Sequence, residues 1–497
     1  MKKIHKIIAI DQSTSATKAM LFTEQLEMVK RVNKPHQQYY PKPGWVEHDA
    51  EEIYNNVIAG VQELLMDQST DGTVEYSLAI TNQRETVVVW NKNTGKPIAH
   101  AVVWQCLRGE EFCNQLKAEG YSEMVQEKSG LLIDPYFAGS GAKWLIDNVE
   151  GAREDAEKGN LLMGTIDCWL VWKLTEGKSH ATDVTNASRT LLMNIHTLQW
   201  DEELLKLFTI PASMMPEILP CDSVYGTTTF EGTLPEPIEI AGVLGDSHGA
   251  LAGQMCFEEG LGKATYGTGS SVMVNIGEQF SKAPQGLVTS MAFSALGHNF
   301  YAFEGNIHCT GATLKWLQEQ LKLIESPAEV EAQARSVEDN GGVYFVPAFA
   351  GLGAPWWNSE ARAAILGMSL ATTRAHVLRA ALESIAYQVN DLIKAMTEQA
   401  GVSLKEIRVD GGPTKNAFLM QLQADCLGVS VNCSDVEEAS ALGAVVMNGL
   451  ARGVWTSFEE VAALRRSRWT RTPQADPELI ANWVAGWKAA VHKVIGK

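Results

Sequence analysis

The stretch Ile7 to Phe22, IIAIDQSTSATKAMLF, constrains this chain more than any other. An apolar run from Ile7 to Ile10 makes a strand that ends at Asp11. The run Gln12, Ser13, Thr14, Ser15 makes a polar turn, and a second strand returns through Lys18 to Phe22. Taken alone, this is a hairpin with ordinary turn residues. A carboxylate at a strand end, followed by hydroxyls and a cation, also suits a turn that holds a magnesium-linked phosphate. The hydroxyls and turn amides would donate to oxygens, Lys18 would offset charge, and Asp11 would reach the metal directly or through water.

The same theme returns far downstream. GLGKATYGTGSSVMVNIG reads as strand, glycine- and hydroxyl-rich turn, strand, and predicts two similar halves. Between them IAGVLGDSHGALAGQM places Asp246 at the end of an apolar strand, where α/β sheets expose their ligand sites. Neither GxxxxGK[ST] nor GxGxxG occurs, so no P-loop and no dinucleotide fingerprint explains the glycines.

The rest of the chain fits alternating α and β elements. A third strand is expected near Leu26 to Val32, followed by a helix capped by Asp49 with Ile53, Val57 and Val61 on its apolar face. EYSLAITNQRETVVVW reads as a strand pair whose polar middle, Asn82 to Glu85, has to face something polar. A kink there would present Arg84 and Glu85 as neighbouring donor and acceptor for the hydroxyls of a polyol; a solvated hairpin with a surface ion pair is the plainer alternative. A helix from about Arg374 to Met396, the strand IRVDGG and a helix starting near Lys415 or Asn416 follow. Glycines between that strand and helix let a flat ligand approach backbone closely. PELIANWVAGWKAAVHKVIGK closes the chain as an amphipathic helix.

Composition narrows the function. With 45% apolar and 20% charged residues over 497 positions the chain is globular and long enough for two or more domains. A net charge of -18 argues against wrapping nucleic acid or an anionic membrane. No apolar run approaches membrane-spanning length, and Asp11 interrupts the opening too early for a signal peptide. Eight scattered cysteines without CxxC are expected to be reduced thiols of a cytoplasmic protein.

Several strings together carry a resemblance over almost the whole chain: AITNQRET, GTIDCWLVWKLT, TDVTNASRTLLMNIHTLQWDEELL, GVYFVPAFAGLGAPWW, TTRAHVLRAALESIAYQ and RVDGG. The chain resembles the FGGY carbohydrate kinases, and within them the branch that phosphorylates glycerol. One family signature fits at every position from Ala363 to Glu383; the other, Tyr136 to Asn148, is degraded at Ala138 and Gly141. The resemblance implies an α/β fold of two actin-like (ribonuclease H-like) ATPase domains facing a central cleft. Residues 1–248 would form the polyol and phosphate side and 249–497 the nucleotide side. It implies ATP-dependent phosphorylation of a terminal hydroxyl of glycerol or a close relative, with ATP and Mg2+, in a cytoplasmic homo-oligomer (dimer or tetramer) that neither binds nucleic acid nor enters a membrane.

Roles carry over residue by residue. Asp246 matches the general base, and Asp11 the magnesium-linked carboxylate. Asp11, Gln12, Ser13, Thr14, Ser15, Lys18, Gly267 and Thr268 match the phosphate turns. Gly311, Gly412 and Asn416 match nucleotide positions, and Arg84, Glu85, Trp104 and Tyr136 the polyol pocket. Some positions depart from the pattern: Ser247 and His248 follow the base where two glutamines are usual, and Ser271 replaces an aromatic that packs the carbon skeleton of glycerol. Losing a buried Phe there forfeits roughly 1.5 to 3 kcal/mol of apolar contact. Ser247 and Ser271 therefore raise a second expectation, a longer polyol or ketose such as a tetritol or xylulose. Lys18 stands for a usual arginine, so its phosphate contacts would be single. Cys106 stands for an acidic residue, with no consequence evident from sequence. A non-metabolic actin-like ATPase is the remote alternative, but it would not need the polyol residues together with Asp246.

Overall fold

Ile4–Gln12 and Ala16–Thr23 form the expected hairpin, with Asp11 opposite Lys18 and Gln12 opposite Thr17. Its first strand also runs parallel to Val74–Asn82, reached through the helix Ala50–Leu65. Asp49 caps that helix by accepting from the amides of Glu51 and Glu52, and Ile53, Val57 and Val61 lie buried on its inner face. The computed structural model describes residues 4–70, 73–435 and 437–496. They divide into two compact units: Met1–Met255 with Ser290–Tyr301 and Glu438–Arg465, and Cys256–Thr289 with Ala302–Glu437 and Arg466–Lys497.

The first unit contains a six-stranded sheet in the order Met28–Pro35, Ala16–Thr23, Ile4–Gln12, Val74–Asn82, Ile238–Gly245, Val224–Thr228. Along that order the pairings run antiparallel, antiparallel, parallel, parallel, antiparallel. The second unit repeats the pattern. His298–Ile307, Ser270–Asn275, Leu261–Tyr266, Glu406–Gly411, Ser430–Ser434 and Ser467–Arg471 pair in the same succession of directions. The repeat suspected from two similar turns is thus a repeat of topology, each hairpin feeding a parallel strand.

The chain returns to the first unit at Glu438, and the helix Ala439–Ala451 packs on its sheet through small residues. A Cβ at Gly443 would meet the Gly249 carbonyl at 2.0 Å, and one at Gly242 the Asn448 amide at 2.4 Å, so neither position admits a side chain. Asn448 donates to the carbonyls of Leu78 and Ala241 and accepts from Ser77, tying helix to sheet.

Three local expectations shift. The third strand begins at Met28, because Leu26 takes a left-handed conformation (φ 62°) in the preceding turn. The long helix runs to Ala400 and stops at Gly401, also left-handed. EYSLAITNQRETVVVW is not one strand pair with a polar middle. Its first strand ends at Asn82, Glu85 turns with φ 64°, and Val87–Asn91 belongs to another sheet, where it pairs with Leu161–Thr165.

The apolar block from Gly164 is the strand end and the helix Ile166–Leu174, buried nearly all round. Within it Asp167 is fully buried, accepting from Thr165 (2.5 Å) and Thr182 (2.6 Å). Burial, aided by the nearby Asp183 carboxylate, lifts its pKa from 3.8 to about 7. Between those values the unfolded chain releases a proton that the folded chain keeps, so stability falls as pH rises from about 4 to about 7. The full displacement corresponds to roughly 4 kcal/mol. Asp167→Asn is expected to raise the unfolding temperature by several degrees at pH 8 relative to its effect at pH 5, measured by calorimetry. An equal effect at both pH values would show that Asp167 titrates normally.

Candidate functional site

In the first unit the turn after Ile4–Gln12 is held from several sides. Ser13 closes it, its amide and hydroxyl both donating to the Ala16 carbonyl at 2.9 Å. Gln83 donates its amide to the Gln12 carbonyl at 2.7 Å and its side-chain nitrogen to Gln12 Oε1 at 2.9 Å. His36 Nε2 lies 2.9 Å from the Thr14 carbonyl, and Trp104 Nε1 donates to the Thr14 hydroxyl at 3.0 Å. His48 packs edge-on to His36 and lies 3.3 Å from Gln83, and burial beside His36 drives its pKa down to about 3. Both imidazole rings therefore support the turn as neutral groups. Of the predicted turn residues, only Ser15 is well exposed.

Lys18 lies across from Asp11 but does not stand alone. Its ammonium is 3.4 Å from Asp11 Oδ2 and 2.6 Å from Glu438 Oε2, and Arg31 reaches the other oxygen of Glu438 at 2.7 Å. Burial opposes the charge on Lys18, but Asp11 and Glu438 outweigh it and raise its pKa. Asp11 itself is raised to about 6, first by burial, with Asp246 and Glu438 adding repulsion that Lys18 only partly offsets. A buried carboxylate with other carboxylates around it is a fitting partner for a cation. Magnesium characteristically takes one or two protein carboxylates and completes its shell with water and phosphate oxygens, so Asp11 fits the metal role expected of it.

The strand Ile238–Gly245 delivers Asp246 to its end, with the side chain 37% exposed. Arg84 Nε lies 3.1 Å from Asp246 Oδ1, and the same oxygen accepts from the Ser247 amide at 2.6 Å. A Cβ on Gly245 would press on Arg84 Cγ at 2.5 Å, which keeps this position glycine. Glu85, beside Arg84, is buried against Arg189. Trp104 and Tyr136 meet edge to face at 5.6 Å, and the Trp104 amide donates to Thr86, next to Glu85. One unit thus brings together Asp11, Thr14, Lys18, Arg84, Glu85, Trp104, Tyr136, Asp246 and Ser247. His248 is a core residue, fully buried and 3.2 Å from Ser290 Oγ.

The remaining candidates belong to the second unit. Gly267, Thr268 and Gly311 converge: the amides of Gly311 and Ala312 donate to the carbonyls of Gly267 and Thr268 at 3.0 Å, and a Cβ on Gly311 would sit 2.6 Å from the Gly267 oxygen. Beside them Gly411, not Gly412, is the position that must be glycine, with φ 98° and the Tyr266 carbonyl 1.9 Å from any added Cβ. Gly412 has nothing within 4 Å of that direction, leaving its backbone open to approach. Asn416 caps the helix Ala417–Leu427 by accepting from Leu419. Ser271 shares a sheet face with Thr265 and Lys263, and the Lys263 ammonium lies 3.1 Å from its hydroxyl.

Arg189 and Glu438 were missed in the sequence. Arg189 lies inside TDVTNASRT, where it reads as part of a polar turn, and Glu438 is distant from Lys18 along the chain. Cys106 acquires a role as well. Its sulfur accepts from Arg108 Nε at 3.1 Å, and Arg108 lies between Trp45 and Trp144 with its other end on Glu47. That cage anchors the loop carrying Trp104.

Family models for the N- and C-terminal domains of the FGGY family of carbohydrate kinases match residues 6–253 and 262–452. The chain belongs to the FGGY family of carbohydrate kinases. It is 47% identical to a glycerol kinase of Bacillus cytotoxicus over 98% of both chains. It is 48% identical to glycerol kinase 1 of Thermotoga maritima over 98% of this chain and 99% of that one. Its fold matches the crystal structure of Plasmodium falciparum glycerol kinase with ADP at a TM-score of 0.94 and 38% identity over 99% of each chain. A xylulose kinase of Lactobacillus acidophilus shares the fold at a TM-score of 0.88 with 19% identity, covering 99% of both chains.

Lys18 and Lys30 separate function from scaffold. Lys30 pairs at the surface with Asp67. Lys18→Ala is expected to lower kcat/KM for the nucleotide at least about tenfold, against less than about twofold for Lys30→Ala. Equal losses in steady-state assays would make the opening hairpin scaffold only.

Proposed function

We propose that this protein transfers the γ-phosphoryl group of ATP to a terminal hydroxyl of glycerol or a closely related polyol. The observation that carries the reading is Asp246, half-exposed at a strand end with Arg84 on one oxygen, in the same unit as Glu85, Trp104 and Tyr136. Full-length relatives named glycerol kinase at 47 to 48% identity support the choice of polyol. In this reading Arg84 donates to, and Glu85 accepts from, adjacent hydroxyls, while the Trp104 and Tyr136 rings cover the carbon skeleton. Asp246 takes the proton from the attacking oxygen as it meets phosphorus. Arg84 and the Ser247 amide both lie on Oδ1 of Asp246, so in this reading the other oxygen takes that proton.

Gly267, Thr268, Gly311, Gly412 and Asn416 of the second unit take the nucleotide. Their glycines present backbone amides without side-chain obstruction. The turn Gln12 to Ser15 and Lys18 face the phosphates. Asp11 would hold the magnesium that neutralises developing phosphate charge. Little covalent work is asked of the protein, so positioning and charge stabilisation supply most of the acceleration. Assigning polyol to residues 1–248 and nucleotide to 249–497 is part of the proposal, as is a homo-oligomeric, cytoplasmic enzyme. All eight cysteines are buried and none forms a disulfide, which suits a reducing compartment. Among the described residues no helix is long and apolar enough to cross a membrane.

A second reading rests on Ser247 and Ser271, which together would enlarge the pocket, and Ser271 carries most of it. Where an aromatic would offer apolar contact, this chain has a hydroxyl beside the Lys263 ammonium, a setting that favours an additional substrate hydroxyl. A panel of three-, four- and five-carbon polyols and ketoses with ATP decides between the two. Glycerol is expected to have the highest kcat/KM; a tetritol or pentulose ahead of it by about tenfold would establish the second reading. Asp246→Asn is expected to lower kcat by about a thousandfold or more with ATP affinity unchanged, and an active Asn variant would remove Asp246 from the role of base.

A further inference from the structure

We infer that Arg189 is a positioning residue of the polyol site: it fixes the direction of the Glu85 carboxylate beside Arg84. The inference rests on the reading of Arg84, Glu85, Trp104 and Tyr136 as the polyol pocket.

Arg189 Nε lies 2.6 Å from Glu85 Oε1, and both side chains are only 2% exposed. The same Glu85 oxygen is 3.8 Å from Arg84 Nε, whereas Arg84 Nε is 3.1 Å from Asp246 Oδ1. Glu85 is therefore within reach of both guanidinium groups, and Arg189 is the nearer of the two. Replacing Arg189 by an apolar residue removes the short contact that fixes the direction of this buried carboxylate and leaves the pull of Arg84, 3.8 Å away, to redirect it. One residue outside the pocket then controls the acceptor for the substrate hydroxyl.

Arg189 is itself placed with care. Its amide donates to the Asn186 carbonyl, and Asn186 exchanges two 3.0 Å hydrogen bonds with Asn82, the last residue of the strand that precedes the Glu85 turn. Asp183 caps the short helix Val184–Ala187, which carries Asn186, by accepting from the Thr185 and Asn186 amides. On the other side, the carbonyls of Arg189 and Thr190 accept from the amides of Ala138 and Gly139, which follow Tyr136 and Phe137. A Cβ on Gly139 would lie 2.5 Å from the Thr190 carbonyl, so that approach requires glycine. The guanidinium carbon rests 5.0 Å from the Phe137 ring and 5.8 Å from the Tyr136 ring. The planar group thus meets a carboxylate at Nε and an aromatic face along its plane, a combination an ammonium cannot reproduce.

The test is steady-state kinetics on Arg189→Met, Arg189→Lys, Glu85→Gln and the double variant Glu85→Gln/Arg189→Met, with thermal unfolding and polyol-independent ATP hydrolysis measured alongside. Arg189→Met is expected to raise the KM for glycerol by about ten- to a hundredfold and to lower kcat, with the KM for ATP and the basal hydrolysis within about twofold. Arg189→Lys, which keeps the charge but not the shape, should fall between it and the native enzyme. The double variant should recover unfolding temperature lost to an uncompensated Glu85 without recovering glycerol KM, which a merely structural role would not predict. A glycerol KM within twofold of native in Arg189→Met, while Glu85→Gln raises it at least tenfold, overturns the inference and leaves the pocket assignment standing. If Arg189→Met does not fold, Arg189→Lys with an unchanged glycerol KM overturns it equally. A glycerol KM unmoved by Glu85→Gln removes the polyol reading of the pocket, and the inference with it.

Discussion

The ion pair between Glu85 and Arg189 is the interaction around which the first unit's site is arranged. Taking two charges out of water costs more than most such pairs return, and an apolar pair of similar volume often stabilises a fold better. Stability is therefore a poor reason for its presence. What the pair supplies is a carboxylate fixed in direction, at the end of a turn whose φ of 64° already departs from what Glu prefers. Strain at Glu85, the reciprocal amide pair of Asn82 with Asn186, and the cap at Asp183 all act on the same few residues. The surroundings over-determine this corner, as they must if a strained residue is to persist.

The two units use one topology for different ends. In each, a hairpin turn adjoins the end of a parallel neighbour: Gln12 beside Asn82 in one, Tyr266 beside Gly411 in the other. The first unit fills that corner with side chains that carry charge. The second fills it with glycines, and close backbone contacts at Gly311 and Gly411 leave no room for anything larger. In the proposed reading, a surface of side chains would select hydroxyls and move a proton, whereas a surface of backbone would suit phosphates and a flat base.

How much of this could be read in the sequence follows the range of each signal. The hairpins, the Asp49 and Asn416 caps, the amphipathic helices and Asp246 at a strand end are local patterns, and the structure contains them. The polar run singled out Arg84 and Glu85, family resemblance added Trp104 and Tyr136, and the fold gathers all four into one unit. The polar run Asn82 to Glu85 was read as a kink inside a strand pair, because periodicity cannot show that the strands on either side join different sheets. Arg189 was hidden for a related reason: in sequence it looks like any charged turn residue, and only burial beside Glu85 gives it a task. Glu438 and Lys18 illustrate the limit most clearly, since a helix returning from the far end of the chain brings them to 2.6 Å. Side-chain pairings of that separation have no signature in one sequence.

That return also determines the charge of the phosphate turn. Lys18 was read as a cation available to phosphate, yet it is shared between Asp11 and Glu438, with Arg31 on the far oxygen of Glu438. Burial, with Asp246 and Glu438 adding repulsion, outweighs Lys18 and holds Asp11 above its ordinary pKa. If Lys18 engages phosphate as proposed, it does so from an ion pair already shared with Asp11 and Glu438, and contacts to phosphate have to compete with a 2.6 Å carboxylate supplied from the far end of the chain. In that reading Glu438, as much as Lys18, sets the terms on which the opening hairpin binds.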